Sequence, residues 1–358
     1  MKSVSLYPHF FLSLLLLISI EVSAQKHRRE RPSEIPDTAY LIKSEFVFTK
    51  ALTPNVHASS IVELPGNKLM VAWFGGTSEG NPDAAIWIST YQKGTWDKPL
   101  SVADGYINKT DLYACWNPVL FFSQKKKLFL FYKTGTSPST WWGMMKTSLD
   151  NGQSWTRSQK LPDGFSGPVK NKPVQLANGA ILCPSSSENF GWKVHLELTN
   201  DSAVSWKKIP VDTATSFDVI QPTILKYRGN KLQLLCRTKQ GFIVESRSVD
   251  NGVTWSSFKA TELPNNNSGI DAVTLSNGTQ LLVYNPIGYD GVVSKRHQLN
   301  VAASADGSHW HDIFVLENGK AGDEYSYPAI IQTEDGLVHI TYTWKRLNIK
   351  HVILNVPD

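Results

Sequence analysis

The side chains with the most visible spacing are aspartates. Ser148, Asp150, Gly152 and Trp155 fit the pattern S-x-D-x-G-x-x-W, and Ser248, Asp250, Gly252 and Trp255 fit it again. Thr199, Asp201, Ala203 and Trp206 form a conservative variant; Ser304, Asp306, Gly307 and Trp310 are one residue shorter; the stretch from Thr90 to Trp96 lacks the Asp. Carboxylates repeated in this way could serve as acids or bases. Their setting points elsewhere. An Asp two residues before a Gly can accept backbone N–H bonds across a hairpin turn, the Gly takes the positive-φ position, and the Trp covers the turn between packed units. These aspartates are therefore expected to be structural.

Other reactive groups are sparse. Three cysteines (Cys115, Cys183, Cys236) are too few for a disulfide scaffold, and the apolar runs around Cys183 and Cys236 predict buried free thiols. No Cys/His spacing resembles a zinc site, so neither a metal nor a cofactor is expected. The net charge is +5; the segment from Gln25 to Pro36 carries four basic and two acidic residues, which leaves +3 elsewhere. That balance does not indicate a nucleic-acid binder and is compatible with an acidic substrate. Sequons stand at Asn108, Asn200, Asn266 and Asn277.

The elements that must position any site read as strands. SSIVEL, LMVAWF, AAIWIST, KLFLFYK, KLQLLCR, TQLLVYN and LVHITYTW are short apolar or alternating runs bounded by Gly, Asn, Asp and Pro. No helical period is sustained. The box tryptophans fall at 96, 155, 206, 255 and 310, in steps of 59, 51, 49 and 55 residues, one four-stranded propeller blade per step. Five marked turns and the closing strands from Tyr325 to Leu354 predict an all-β, six-bladed β-propeller, with seven blades the alternative count. A strand near Leu41 to Phe48 is expected to pair with the last blade and close the ring, which removes exposed edges.

Residues 1–24 read as an export signal: Lys2, an apolar run from Phe10 to Ile20, and a small-residue cleavage site ending at Ala24. Residues 25–37 read as a basic linker, and 38–358 as the propeller domain. A secreted or periplasmic monomer, free of the membrane after cleavage, is the expectation.

The boxes and the strand pattern resemble the sialidase superfamily (BNR or Asp-box repeat proteins) over essentially the whole chain after the leader. The resemblance implies an axial site built from several blades, so its residues are scattered in sequence. In sialidases the first blade opens with an Arg that, with two others, grips a substrate carboxylate. The matching stretch here begins at His57, in HASSIVELPG. Arg237 in LQLLCRTKQG and Arg296 in SKRHQLNVAAS match the second and third arginines, and Tyr325 in GDEYSYPAI matches the nucleophile. The Glu that activates this Tyr aligns with Gln221, and the acid/base Asp aligns with a segment offering Glu79 or Asp83. Tyr113, Trp116 and Asn117 occupy a strand start that faces the axis in the superfamily. Lys170 and Lys172 are placed to meet a sulfate or second carboxylate, and Asp271 and Glu188 are polar loop residues.

The departures bear on chemistry. A Tyr needs a neighbouring base to act as a nucleophile, and Gln221 cannot be one. A His, a Tyr and two Arg suit β-elimination at a uronic acid instead. That reaction needs a neutralised carboxylate, a base for the C5 proton and an acid for the oxygen leaving C4. Catalytic roles therefore fall on His57, Tyr325, Arg237 and Arg296, and substrate contacts on Glu79, Asp83, Tyr113, Trp116, Asn117, Lys172 and Asp271. The substrate class is an acidic oligosaccharide of ulvan type, with a sialidase-like exo-glycosidase and a non-catalytic glycan-binding propeller as alternatives.

Overall fold

The computed structural model describes residue 1 and residues 40–212, 214, 216–289 and 296–357. The expected leader lies outside them, as does all but the end of the region between it and the first strand. Among the described residues the strands form six sheets. Strand β1 (Leu41–Phe46) precedes blade 1, made of β2 (Asn55–Leu64), β3 (Lys68–Gly76), β4 (Ala85–Gln92), β5 (Thr95–Trp96) and β6 (Leu100–Ala103). Blade 2 holds β7 (Ala114–Phe122), β8 (Leu128–Gly135), β9 (Trp142–Ser148) and β10 (Gln159–Lys160). Blade 3 holds β11 (Val174–Gln175), β12 (Ile181–Ser187), β13 (Lys193–Thr199) and β14 (Lys207–Pro210). Blade 4 holds β15 (Val219–Lys226), β16 (Leu232–Thr238), β17 (Phe242–Ser248) and β18 (Lys259–Pro264). Blade 5 holds β19 (Asp271–Thr274), β20 (Gln280–Tyr284), β21 (Gln298–Ser304) and β22 (His311–Asn318). Blade 6 holds β23 (Tyr325–Gln332), β24 (Val338–Trp344) and β25 (Asn348–Leu354), and β1 pairs antiparallel with β25 to complete it. The six-bladed expectation and the closing strand both hold.

Apolar burial explains why the blades stack. The core divides into six clusters, each spanning one blade interface. Blade 2 meets blade 3 through Phe129, Phe131, Ile181 and Cys183, while blade 4 meets blade 5 through Leu235, Ile243, Leu282 and Ala302. All three cysteines are buried free thiols.

The boxes fold as local clamps. Ser248 Oγ donates to Asp250 Oδ1 at 2.8 Å, while the amides of Gly252 and Thr254 donate to Ser248 Oγ and Asp250 Oδ1 at 2.9 Å. Gly252 has φ +84°, and a Cβ there would meet Leu182 of the preceding blade at 2.9 Å, so the turn needs glycine twice over. Hydrogen bonds from Ser154 and Thr254 hold Asp150 and Asp250 at about 2. Neither has a proton to give near neutrality. In blade 3 the capping falls to Asn200, whose Oδ1 takes the Ser202 amide at 2.9 Å, and Asp201 instead accepts from Gln175 at 3.3 Å.

The closing strand is held by a buried chain of titratable groups. His339 Nδ1 lies 3.0 Å from His351 Nε2, and His351 Nδ1 lies 3.1 Å from Glu45 Oε1 on β1. Burial, then the charge of His351, pushes His339 down to about 4 from 6.5; burial also lowers His351. An unfolded chain binds these protons near pH 6.5 and the folded chain does not, so stability is full above that pH and is lost as pH falls toward 4. We expect the unfolding free energy to drop by roughly 1–3 kcal/mol over that window. Denaturant titrations at a series of pH values check this, and His339→Gln should flatten the slope.

Candidate functional site

The first strand of each blade lines the axis, and four of these strands share one irregularity. Their pairing registers slip between His57 and Ser60, Trp116 and Val119, Ile220 and Thr223, and Ser326 and Ala329. At each slip a non-glycine residue takes a left-handed φ: Ala58 at 61°, Asn117 at 38°, Gln221 at 54° and Tyr327 at 52°. Such bulges re-aim side chains and tend to sit beside functional sites. Three of the four residues precede a proline (Pro118, Pro222, Pro328), which has no N–H to lose from the ladder.

The bulges bring a polar cluster together. His57 is 1% exposed, its Nδ1 lies 3.0 Å from Thr343 Oγ1, and its Nε2 has no hydrogen-bond partner among the described residues. Its ring packs against Tyr327 with centroids 4.1 Å apart. Arg237 Nη1 donates to Tyr327 Oη at 3.0 Å and to Gln221 Oε1 at 3.1 Å, while its remaining nitrogens bind Asn267. The Arg296 guanidinium lies 5.7 Å from the Tyr327 ring centre. Glu324 accepts from Arg296 Nη1 at 2.9 Å and from Arg346 Nε at 3.0 Å, and Arg346 Nη1 donates to Glu79 Oε2 at 2.6 Å.

The electrostatics separate proton carriers from fixed charges. Burial, followed by the charges of Arg346, Arg296, Arg237 and Lys170, holds His57 well below its usual range, so its imidazole is neutral at pH 7. Burial alone would raise Glu324, but Arg296 and Arg346 outweigh it and hold this carboxylate at about 2. Glu188 differs: burial raises it, and Arg237 and Lys239 only partly offset the rise. Among the described residues no group of three or more His, Cys, Asp or Glu side chains is placed to hold a metal ion.

The structure thus brings together His57, Arg237, Arg296 and, through Arg346, Glu79. It does not bring Tyr325 to them. Tyr325 packs in the interface of blades 5 and 6, with its hydroxyl 3.3 Å from Asp323, and the axial tyrosine is Tyr327, two residues on. Strand alternation cannot tell these two apart, because a period of two assigns both to one face; the bulge between Ser326 and Ala329 separates them. The Asn117-Pro118, Gln221-Pro222 and Tyr327-Pro328 pairs carried that signal. Arg346 had no such marker. It sits in the turn after β24 at φ 60°, and its carbonyl accepts the Val56 amide at 2.9 Å.

Several expected substrate contacts are committed to the fold. Asp83 takes the Thr77 amide and hydroxyl, the latter at 2.6 Å. Trp116 is buried and donates to the Gly135 carbonyl at 3.0 Å; Asn117 is buried at its bulge; Tyr113 packs edge-on against Trp142. Lys172 and Asp271 form an ion pair at 2.8 Å, with Asp271 only 2% exposed. Asp271 also accepts from Thr223 Oγ1 at 2.8 Å and from the Ile330 amide at 3.0 Å, joining the inner strands of blades 4, 5 and 6. Lys170 meets two carbonyls, not a surface anion.

The BNR repeat-like domain family matches residues 67–340. No match was found among curated proteins. Solved structures share the fold. A protein of unknown function from Dyadobacter fermentans superposes with a TM-score of 0.73 at 14% identity, covering 88% of this chain and 99% of the other. The NanB sialidase of Streptococcus pneumoniae gives 0.68 at 12% identity, covering 87% and 70%. An α-L-arabinanase of Penicillium chrysogenum gives 0.65 at 15% identity, covering 88% and 98%.

Three substitutions separate site from scaffold. Asp271→Ala strands the Lys172 charge and two donors, and should lower stability by about 3 kcal/mol in denaturant titrations. Tyr325→Phe should keep ligand binding and turnover within a few fold of the parent, whereas Tyr327→Phe should not. The chain is a sialidase-like six-bladed β-propeller and belongs to the BNR repeat-like domain family.

Proposed function

We propose that this protein is an exported carbohydrate-active enzyme that acts on the terminal uronate of an acidic oligosaccharide by β-elimination. One observation carries the reading: the hydroxyl of the axial tyrosine accepts from Arg237, the same arginine nitrogen bonds Gln221, and the tyrosine ring packs against a neutral histidine. A carboxylate base beside that hydroxyl, as a Tyr nucleophile requires, is replaced by Gln221.

Protonation states assign the roles. His57 is neutral and has a free Nε2, so it is the base that takes the C5 proton. The C5–H electron pair becomes the C4=C5 double bond, and the C4–O bond breaks. Tyr327 gives its proton to the departing oxygen, which leaves as a sugar hydroxyl or, from an unsubstituted C4, as water. Arg237, already bonded to the phenol oxygen, stabilises the phenolate that remains. Arg296 and Arg346 sit at the more open side of the cluster, with side chains 17% and 22% exposed, and take the substrate carboxylate beside Glu324. That carboxylate offsets the repulsion between the arginines and the imidazolium formed on His57. Transfer back from His57 to Tyr327 resets the site.

Glu188 supports a second reading. A carboxyl raised by burial near Arg237 can protonate a glycosidic oxygen, which suits an exo-glycosidase of sialidase type. One experiment separates the two. Uronate-terminated oligosaccharides and sialosides are incubated with the protein while 4,5-unsaturated uronate absorbance and free sialic acid are followed. Elimination gives the absorbance without sialic acid; free sialic acid, or new reducing ends without absorbance, refutes it. We expect His57→Ala and Tyr327→Phe each to lower turnover by at least about 100-fold, and the acid limb of kcat/KM to lie below pH 6.5, because His57 is pushed down.

A further inference from the structure

Blade 3 lacks a full inner strand. Its axial segment, residues 168–173, enters the ring as irregular chain before the two-residue β11. Lys133 Nζ fixes the segment by donating to the Pro168 carbonyl at 2.6 Å, and buried Glu197 takes the Gly167 amide at 2.7 Å. From this segment the Lys170 side chain reaches the blade on the opposite side of the ring. Its Nζ donates to the Ile270 carbonyl at 2.9 Å and to the carbonyl of Pro328, the residue after Tyr327. It lies 5.9 Å from the centre of the Tyr327 ring and is 4% exposed. Gly269 keeps this approach open, since a Cβ there would sit 3.3 Å from Tyr327 and 3.5 Å from Lys170.

We infer that Lys170 is the positioning residue of the axial tyrosine: it holds the Tyr327–Pro328 bulge in its left-handed form and places its amino group beside the phenol ring. This rests on the elimination reading for its catalytic consequence, and on geometry alone for its structural one. The groups that face Lys170 are Asp271 from β19, Lys172 from its own segment, Arg237 from β16, Tyr327 from β23 and His57 from β2. Burial dominates among the influences on its ammonium, with Asp271 opposing and Lys172 and Arg237 assisting, and brings it down to about 7. Below that pH the ammonium favours the phenolate left when Tyr327 gives up its proton; above it the charge is lost, while the neutral amine keeps two N–H groups for the two carbonyls.

The test uses the full chain with Lys170→Met, which keeps the length and removes the charge, and Lys170→Arg, which keeps a cation at every pH. Crystal structures and lysine-labelled carbon NMR need no substrate. We expect a lysine resonance titrating near pH 7 in the parent and missing from both variants, and a Tyr327 turn that leaves its left-handed φ and its Arg237 bond in Lys170→Met. A resonance titrating only near pH 10, or an unmoved turn, overturns the inference. On uronate-terminated oligosaccharide, Lys170→Met should lower kcat by about 100-fold with KM within about threefold. Lys170→Arg should recover at least a tenth of the parent kcat and lose the alkaline limb near pH 7. An unchanged kcat in Lys170→Met overturns it. Should Lys170→Met not fold, Lys170→Arg still decides through its pH profile. If the parent turns over nothing, the elimination reading fails, and the NMR and the turn still decide the role of Lys170.

Discussion

Everything at the centre of this ring depends on how its bulged inner strands satisfy their backbone. A bulge removes ladder hydrogen bonds, and a buried carbonyl without a donor costs about 1–3 kcal/mol. The axial segment of blade 3 supplies those donors from three successive side chains. Lys170 serves Ile270 and Pro328; Asn171 Nδ2 serves the Gln221 and Pro222 carbonyls at 3.2 and 3.0 Å; Lys172 serves Ala272 at 2.8 Å. Ser59 adds a bond to the Tyr327 carbonyl at 3.3 Å. Blade 3 thus gives up an inner strand, and its side chains support the bulges of blades 4 and 6 and the inner strand of blade 5. The two halves support each other, since the buried Lys170 ammonium needs acceptors as much as the carbonyls need donors.

That exchange also sets the electrostatics. Arg237, Arg296, Arg346 and Lys170 converge on His57, and Glu324 is the carboxylate that bonds two of them. Burial, and after it the excess of cations around this imidazole, keeps it unprotonated at pH values where a solvated histidine would be charged. The same excess favours an anion arriving from outside. A neutral imidazole and a surplus of positive charge thus share one site.

The fold was legible because its signals are local. An Asp-box turn is specified within eight residues, and its repetition at blade spacing announces the ring before any tertiary contact is known. Buried thiols and the closing strand followed from apolar runs in the same way. The site was legible only in part. His57, Arg237 and Arg296 lay within reach of the family resemblance. Resemblance alone points to Tyr325; a period of two treats it and Tyr327 as equivalent, and only the bulge breaks the tie. Lys172 and Asp271 looked like ligand contacts because a charged residue in a polar loop ordinarily faces water. Here the loop runs through the axis, and their charges answer each other.

Arg346 shows where sequence reasoning stops. Its importance lies in three contacts made across the chain: Val56 on blade 1, Glu79 in the loop after β3, and Glu324 before β23. None is near it in sequence except Glu324, and a turn at positive φ has no apolar period to betray it. Yet its placement follows from ring closure. Blade 6 is completed by β1, so the turn between its last two strands is carried next to the start of blade 1, where His57 lies. Position 57 holds a neutral ring, and the arginine brought in from the far end of the chain places a positive charge near it. The N-terminal strand that closes the propeller is thereby also what delivers the third arginine to the histidine.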